Sequence, residues 1–206
     1  MMKKLVLCFM LVMLMVVPAC SGGAGVCINE FSAYNDGHVA DADGDYGDWL
    51  ELYNGGSRTI RLEGYYLSDD ESEPLKWRFP QVELAPGEYL LVWASGKNRV
   101  QGELHTNFSI KQEGEPLILS SPKGNVVDWI EPVPGRPEAS VGRIPDGGRE
   151  LHYLFTPSPG RSNSVSDSRE YILSIGAGAG TYLWLLAIVV VVFIPLFIWF
   201  WRKTRR

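Results

Sequence analysis

The sequence predicts an all-β domain built from short strands, enclosed between two apolar ends. Two observations carry this. Apolar clusters of four to eight residues recur through the middle of the chain, separated by Gly, Pro, Asn and Asp, and no run of helical period interrupts them. Strong turn signals fall between the clusters, at Pro86-Gly87 and at Pro122-Lys123-Gly124-Asn125. Such spacing points to a sandwich or a barrel.

The strands follow in order. Residues 26–34 form the first candidate, and residues 49–53 the second, alternating around Glu51. Residues 59–62 and 65–68 come next, broken by Gly64. Residues 75–79 carry Trp77. Residues 89–93 are apolar on both faces, as a strand between two layers is. The turn before them suits type II, because Pro86 fixes φ and Gly87 accepts a positive φ. Residues 117–120 and 126–130 pair as a hairpin across the 122–125 turn. Trp49, Trp77, Trp93 and Trp129 all fall in these strands and are expected in or near the core. The alternative is an exposed aromatic platform for carbohydrate or peptide.

The ends have a different chemistry. Lys3 and Lys4 precede an apolar run over 5–17, followed by small residues from Ala19 to Gly23. That pattern predicts a secretory signal peptide over 1–20. The run is shorter than the roughly 20 residues that a membrane span needs. Val17-Pro18-Ala19-Cys20 resembles a lipoprotein cleavage box, with Pro18 departing from its usual pattern, so lipidation at Cys20 and ordinary cleavage near Ala19 both stay open. Residues 182–201 contain no charge, have Trp near both edges, and lead into Arg202, Lys203, Arg205 and Arg206. At about 1.5 Å per residue the stretch crosses one hydrocarbon core. The basic cluster places the tail 202–206 in the cytoplasm and the domain outside. A sorting tail that is later removed is the competing reading. Residues 164–181, polar and then Gly-rich, form a tether.

The net charge of −5 hides an asymmetry. Six of the 19 basic residues lie in the two ends and none of the 24 acidic ones does, which leaves the middle at −11. A surface of that sign excludes nucleic acid as a partner. Of the three cysteines, Cys8 and Cys20 belong to the signal region, and Cys27 is left alone. No disulfide framework is expected, so a packed core must hold the domain together.

Candidate chemistry centres on one loop. Asp41, Asp43, Asp45 and Asp48 lie within eight residues, with Gly44 and Gly47 among them. Several carboxylates able to converge on one hard cation make this a candidate calcium loop. It is not an EF-hand, since the glycine is misplaced and no helices flank it. A solvated turn is the plainer alternative. Asp69, Asp70, Glu71 and Glu73 form a second acidic turn. The three histidines, His38, His105 and His152, show no zinc-ligand spacing. No G-x-S-x-G elbow and no phosphate-binding loop occurs, so no enzyme and no cofactor is expected. Asn107-Phe108-Ser109 is one N-glycosylation sequon.

Several motifs together resemble a known family. They are D-A-D-G-D-Y-G-D-W-L-E-L-Y-N (41–54), G-Y-Y-L-S-D-D (64–70), L-K-W-R-F-P (75–80), L-A-P-G-E-Y-L-L-V-W-A-S-G-K (84–97), L-H-T-N-F (104–108) and the closing T-P-S-P-G-R-S-N (156–163). In order and spacing they resemble the bacterial branch of the lamin tail domain family over residues 26–163. The resemblance implies an immunoglobulin-like β-sandwich without catalytic activity. With the ends, it implies a single-pass membrane protein whose sandwich is extracytoplasmic and binds or tethers at the cell envelope, through a protein or an envelope glycan. The alternatives are a calcium-dependent binding module and an accessory subunit of another membrane protein.

Overall fold

A computed structural model describes residues 25–163 and the backbone of one further strand, 168–172. Residues 1–20, expected to be a signal peptide, with Cys20, the apolar stretch 182–201 and the basic tail 202–206 lie outside the described residues. Among those described, no helix is long and apolar enough to cross a membrane.

Among the described residues twelve strands form: β1 (Val26–Ser32), β2 (Asp48–Asn54), β3 (Ile60–Arg61), β4 (Tyr66–Ser68), β5 (Trp77–Arg78), β6 (Glu83–Leu84), β7 (Tyr89–Ala94), β8 (Leu117–Ser120), β9 (Val126–Ile130), β10 (Ser140–Arg143), β11 (Leu151–Leu154) and β12 (Ser168–Ile172). One sheet has the order β12-β11-β10-β1-β2-β7, a second β5-β4-β8-β9, and β3 pairs with β6 alone. The pairings along these ladders are antiparallel. The two larger sheets enclose one apolar core. Ile28, Phe31, Leu50, Leu52 and Val92 come from the first sheet, and Leu67, Trp77, Leu117, Leu119 and Ile130 from the second. Each such aliphatic side chain contributes about 1.5–3 kcal/mol by leaving water. The domain is therefore an all-β sandwich, as expected.

Turns form where their residues require them. Gly87 has φ +77° and the Glu88 N–H reaches the Ala85 carbonyl at 3.1 Å, which closes the turn that Pro86 opens. The β8–β9 hairpin closes through Ser121 N–H to Asn125 O at 2.8 Å. Trp49, Trp77 and Trp93 are buried and Trp129 is half-buried. Four strands, β6, β10, β11 and β12, have no counterpart among the expected ones. β12 occupies residues assigned to the tether and pairs with β11. β7 is the last strand of its sheet. Its edge is covered by residues 104–106, through Trp93 N–H to Leu104 O and Thr106 N–H to Trp93 O, both 2.8 Å. That cover gives the outward N–H and carbonyl of Trp93 their partners.

The register of β1 against β2 shifts between Ile28 and Glu30. A shift of this kind takes backbone groups out of the ladder. Beside it the β1–β10 ladder stops at Glu30, and side chains receive the Ile28 backbone groups that lie beyond its end. The Ile28 N–H donates to Asp128 Oδ2 on β9 at 2.8 Å, and Arg143 Nε on β10 donates to the Ile28 carbonyl at 2.8 Å. Arg143 Nη2 then meets both Asp128 oxygens at 3.0 and 3.1 Å, and Nη1 donates to Gly148 O at 2.6 Å. Asp128 belongs to one sheet and Arg143 to the other, so the pair joins the two sheets across the shift. Replacing Arg143 by Met strands a poorly solvated carboxylate and two carbonyls. The expected loss is about 3 kcal/mol in urea unfolding. Arg143→Lys should recover less than half of that, because an ammonium lacks the planar fork. A loss below about 1 kcal/mol for Arg143→Met would remove the pair from this role.

Candidate functional site

The β1–β2 loop holds the acidic motif. Asn35 pins its base: its Nδ2 donates to Val39 O at 2.5 Å and Gly47 O at 2.9 Å, and its Oδ1 accepts from Val39 N–H at 3.0 Å. Inside that frame the Asp41 Oδ1 accepts from the N–H groups of Asp43 and Asp45, each at 2.9 Å. Backbone bonds from Asp41 N–H to Asp45 O and from Gly44 N–H to Asp41 O, both 2.9 Å, finish a tight turn.

Asp41, Asp43 and Asp45 thus present carboxylate oxygens within 4.8 Å of one another, a grouping able to hold a cation. The Lys97 ammonium lies against all three. It meets Asp41 Oδ2 at 2.5 Å, Asp43 Oδ2 at 2.9 Å and Asp45 Oδ2 at 2.8 Å, while Arg99 Nη2 meets Asp43 at 2.5 Å. The hydrogen bond from Lys97 holds the Asp41 carboxyl below the usual range, and Arg99 does the same to Asp43. The three aspartates in turn raise the pKa of Lys97, Asp41 most of all. A divalent ion entering this seat must displace the ammonium.

Asp48 does not join the cluster. It opens β2, and its Oδ2 accepts from the Ile110 N–H at 3.1 Å. Burial pushes its carboxyl up to about 6. Asn107 is exposed, and its Nδ2 donates to the Lys76 carbonyl at 3.0 Å. The second acidic turn is internally satisfied at Asp70, which accepts from Ser72 N–H and Oγ at 2.8 and 2.7 Å, and paired at Asp69, which meets Lys76 at 2.6 Å. It borders an open cleft of about 380 Å³ with Lys111 and Glu115. His105 is buried in contact with Ser95 Oγ at 2.9 Å and stacks on Trp93.

Sequence reasoning missed a buried acid pair. Glu30 and Glu51 stand opposite each other in the β1–β2 ladder, and both are 0% exposed. Glu30 accepts from Ser140 Oγ at 2.5 Å, and from Ser158 N–H and Oγ, each at 2.9 Å. Glu51 accepts from the Gly160 N–H. Its other oxygen is buried without a hydrogen bond, with the Asn29 amide as polar neighbour. Burial raises both carboxyls, Glu51 to about 8. Three donors and the nearby Arg161 charge favour the ionised form at Glu30, so the proton of the pair belongs on Glu51. No signal in the sequence marks this, because an acid within an alternating strand reads as a solvent-facing residue.

The described residues therefore define an antiparallel sandwich module. A family model described as the lamin tail domain matches residues 20–134. The chain belongs to the lamin tail domain family, a family of non-enzymatic immunoglobulin-like modules. A search of the curated proteins finds no match. The matched region ends before β10, yet β10 lies directly beside β1 in the middle of the sheet.

Replacing Lys97 by Met tests which cation fills the acidic loop. The variant should melt lower than the wild type in metal-free buffer, and millimolar calcium should restore part of that loss by binding the vacated seat. Wild type should respond less, since the ion must first expel the ammonium. A larger calcium shift in wild type than in Lys97→Met would reverse the assignment.

Proposed function

We propose that this chain is a bacterial-type, membrane-anchored lamin tail module that binds or tethers at the cell envelope without catalysing a reaction. Residues 1–20 export it, residues 182–201 hold it in the membrane, and residues 202–206 remain in the cytoplasm. The observation that carries the reading is the pairing of a rigid sandwich with an uncharged 20-residue stretch that ends in four basic residues. The partner is a protein or an envelope glycan. The net charge of −11 between the ends disfavours nucleic acid. Membership in a non-enzymatic family supports the absence of catalysis.

Calcium-dependent binding through Asp41, Asp43 and Asp45 is a second reading, favoured by the convergence of their carboxylates. It ranks lower because Lys97 already neutralises that seat. Lipidation at Cys20 adds a further anchor in this scheme, and glycosylation at Asn107 applies only in a host that modifies such sequons.

Localisation and binding are tested together. Protease added to intact cells should remove the sandwich epitope while leaving a tagged C-terminus with the membrane fraction. Detergent-solubilised full chain, immobilised through that tag, should retain a component of the envelope fraction in a salt-sensitive manner. A protected epitope, or a chain recovered in the cytosol, would overturn the placement. Failure to retain any envelope component would overturn the binding role, and co-purification of one stoichiometric membrane protein would favour the accessory-subunit alternative.

A further inference from the structure

The segment 156–163 leaves β11, crosses the first sheet and returns before β12. It crosses the polar face, where Glu30 and Glu51 lie. Its attachments there come from successive residues. Ser158 gives its N–H and hydroxyl to Glu30, and Gly160 gives its N–H to Glu51. Ser158 Oγ also lies 2.7 Å from Asn163 Oδ1. Asn163 Nδ2 reaches the carbonyls of Arg143 at 3.0 Å and Asn29 at 3.3 Å, and its N–H reaches Asp146 at 3.0 Å. The approach is close. A Cβ on Gly142 would meet Asn163 Nδ2 at 2.6 Å, so the strand beneath the segment has glycine where the amide passes.

We propose that residues 156–163 form a proton-held latch, closed on the sheet while Glu51 is neutral and released when its carboxyl ionises. The geometry carries this. Two carboxylates stand opposite each other, out of water, and like charges so placed repel strongly. Glu30 has three donors and can hold a charge, whereas Glu51 has one. A neutral Glu51 still accepts from Gly160 and carries no charge into the pair. An ionised Glu51 is far more stable in water, and reaching water requires the segment above it to lift.

The surrounding charges do not supply a substitute cation. Asp146 adds negative charge from the β10–β11 loop. Tyr89 on β7 donates its hydroxyl to Asp146 at 2.8 Å and stacks on Tyr53 of β2. The Arg143 guanidinium is engaged with Asp128 on the far sheet. His152 lies on β11, opposite Gly142 in the ladder. Arg161, within the latch itself, acts on Glu30 and leaves with the segment when it opens.

The sign follows from proton linkage. Closed, the Glu51 carboxyl titrates near 8; open to water, it titrates near the ordinary 4.5. Opening therefore releases a proton between those values. Below this window the latch has its full strength, and each pH unit within it favours opening about tenfold. Above about 8 both forms are ionised and the effect levels off.

Amide hydrogen exchange on the full chain in detergent micelles, corrected for intrinsic pH dependence, reads this directly. The protection factors of Ser158 and Gly160 should fall about tenfold per pH unit between 5 and 8, then level off. They should also lie below that of Leu52 at every pH, because the latch opens without the sandwich unfolding. In Glu51→Gln the fall should disappear, since the amide accepts from Gly160 and cannot ionise. The carboxyl ¹³C shift of Glu51 in the wild-type chain assigns the titrating group independently of how that variant folds. Flat protection across the window would overturn the proposal. So would a Gly160 protection factor equal to that of Leu52, or a Glu51 shift titrating near 4.5.

Discussion

The Ile28 backbone, beyond the end of the β1–β10 ladder and beside the shift in β1, is the constraint on which most of this sandwich depends. A strand that outruns its neighbour must place its unpaired N–H and carbonyl somewhere, and burial forbids leaving them bare. Asp128 takes the N–H and Arg143 the carbonyl, and the two then bind each other. The ion pair is thus the receiver for an interruption of the ladder, beyond being a bridge between layers. It also sets β10 beside β1, because the guanidinium reaches the Ile28 carbonyl from the end of β10. Through Asn29, at the shift itself, the constraint extends to the β10–β11 loop. Its Nδ2 reaches Asp146 at 2.9 Å and its Oδ1 accepts from Gly147 N–H at 2.9 Å.

Beyond the shift, the first sheet has two unlike faces. One meets the apolar core. The other buries carboxylates and amides under a segment rich in proline, serine and glycine. Such a face is stable only when its polar atoms find partners, and those partners are mostly supplied from residues 140–163. The family match over residues 20–134 therefore covers the core strands but omits the part that completes this face. A fragment cut at residue 134 would expose Glu30 and Glu51 and lose the strand between β1 and β11.

Much of the fold could be read from residue order, since the strands at 117–120 and 126–130 and the two turns stand where local chemistry puts them. β10 escaped notice because S-V-G-R has one apolar residue. It is buried for its neighbours and for Arg143, neither of which has a periodic signature. β6, two residues long, is too short to show any period. In the site, the clustering of Asp41, Asp43 and Asp45 follows from their spacing and from the glycine between them. Their counter-charge does not, because Lys97 arrives from across the sheet, more than fifty residues later. Asp48 was grouped with the others by proximity in sequence, but it already belongs to a strand and points its carboxylate at Ile110. Glu30 and Glu51 escaped notice because nothing in an alternating strand marks an acid that a distant segment covers.

The cover over β7 bears on what happens when many copies crowd one surface. Sheets polymerise by joining bare margins, and indefinite growth needs two such margins on every subunit. Along the six-stranded sheet, residues 104–106 occupy the outer side of β7 at Trp93 and interrupt that margin as a template for another chain. A strand added there would have to displace them, which disfavours growth of dense arrays through that side.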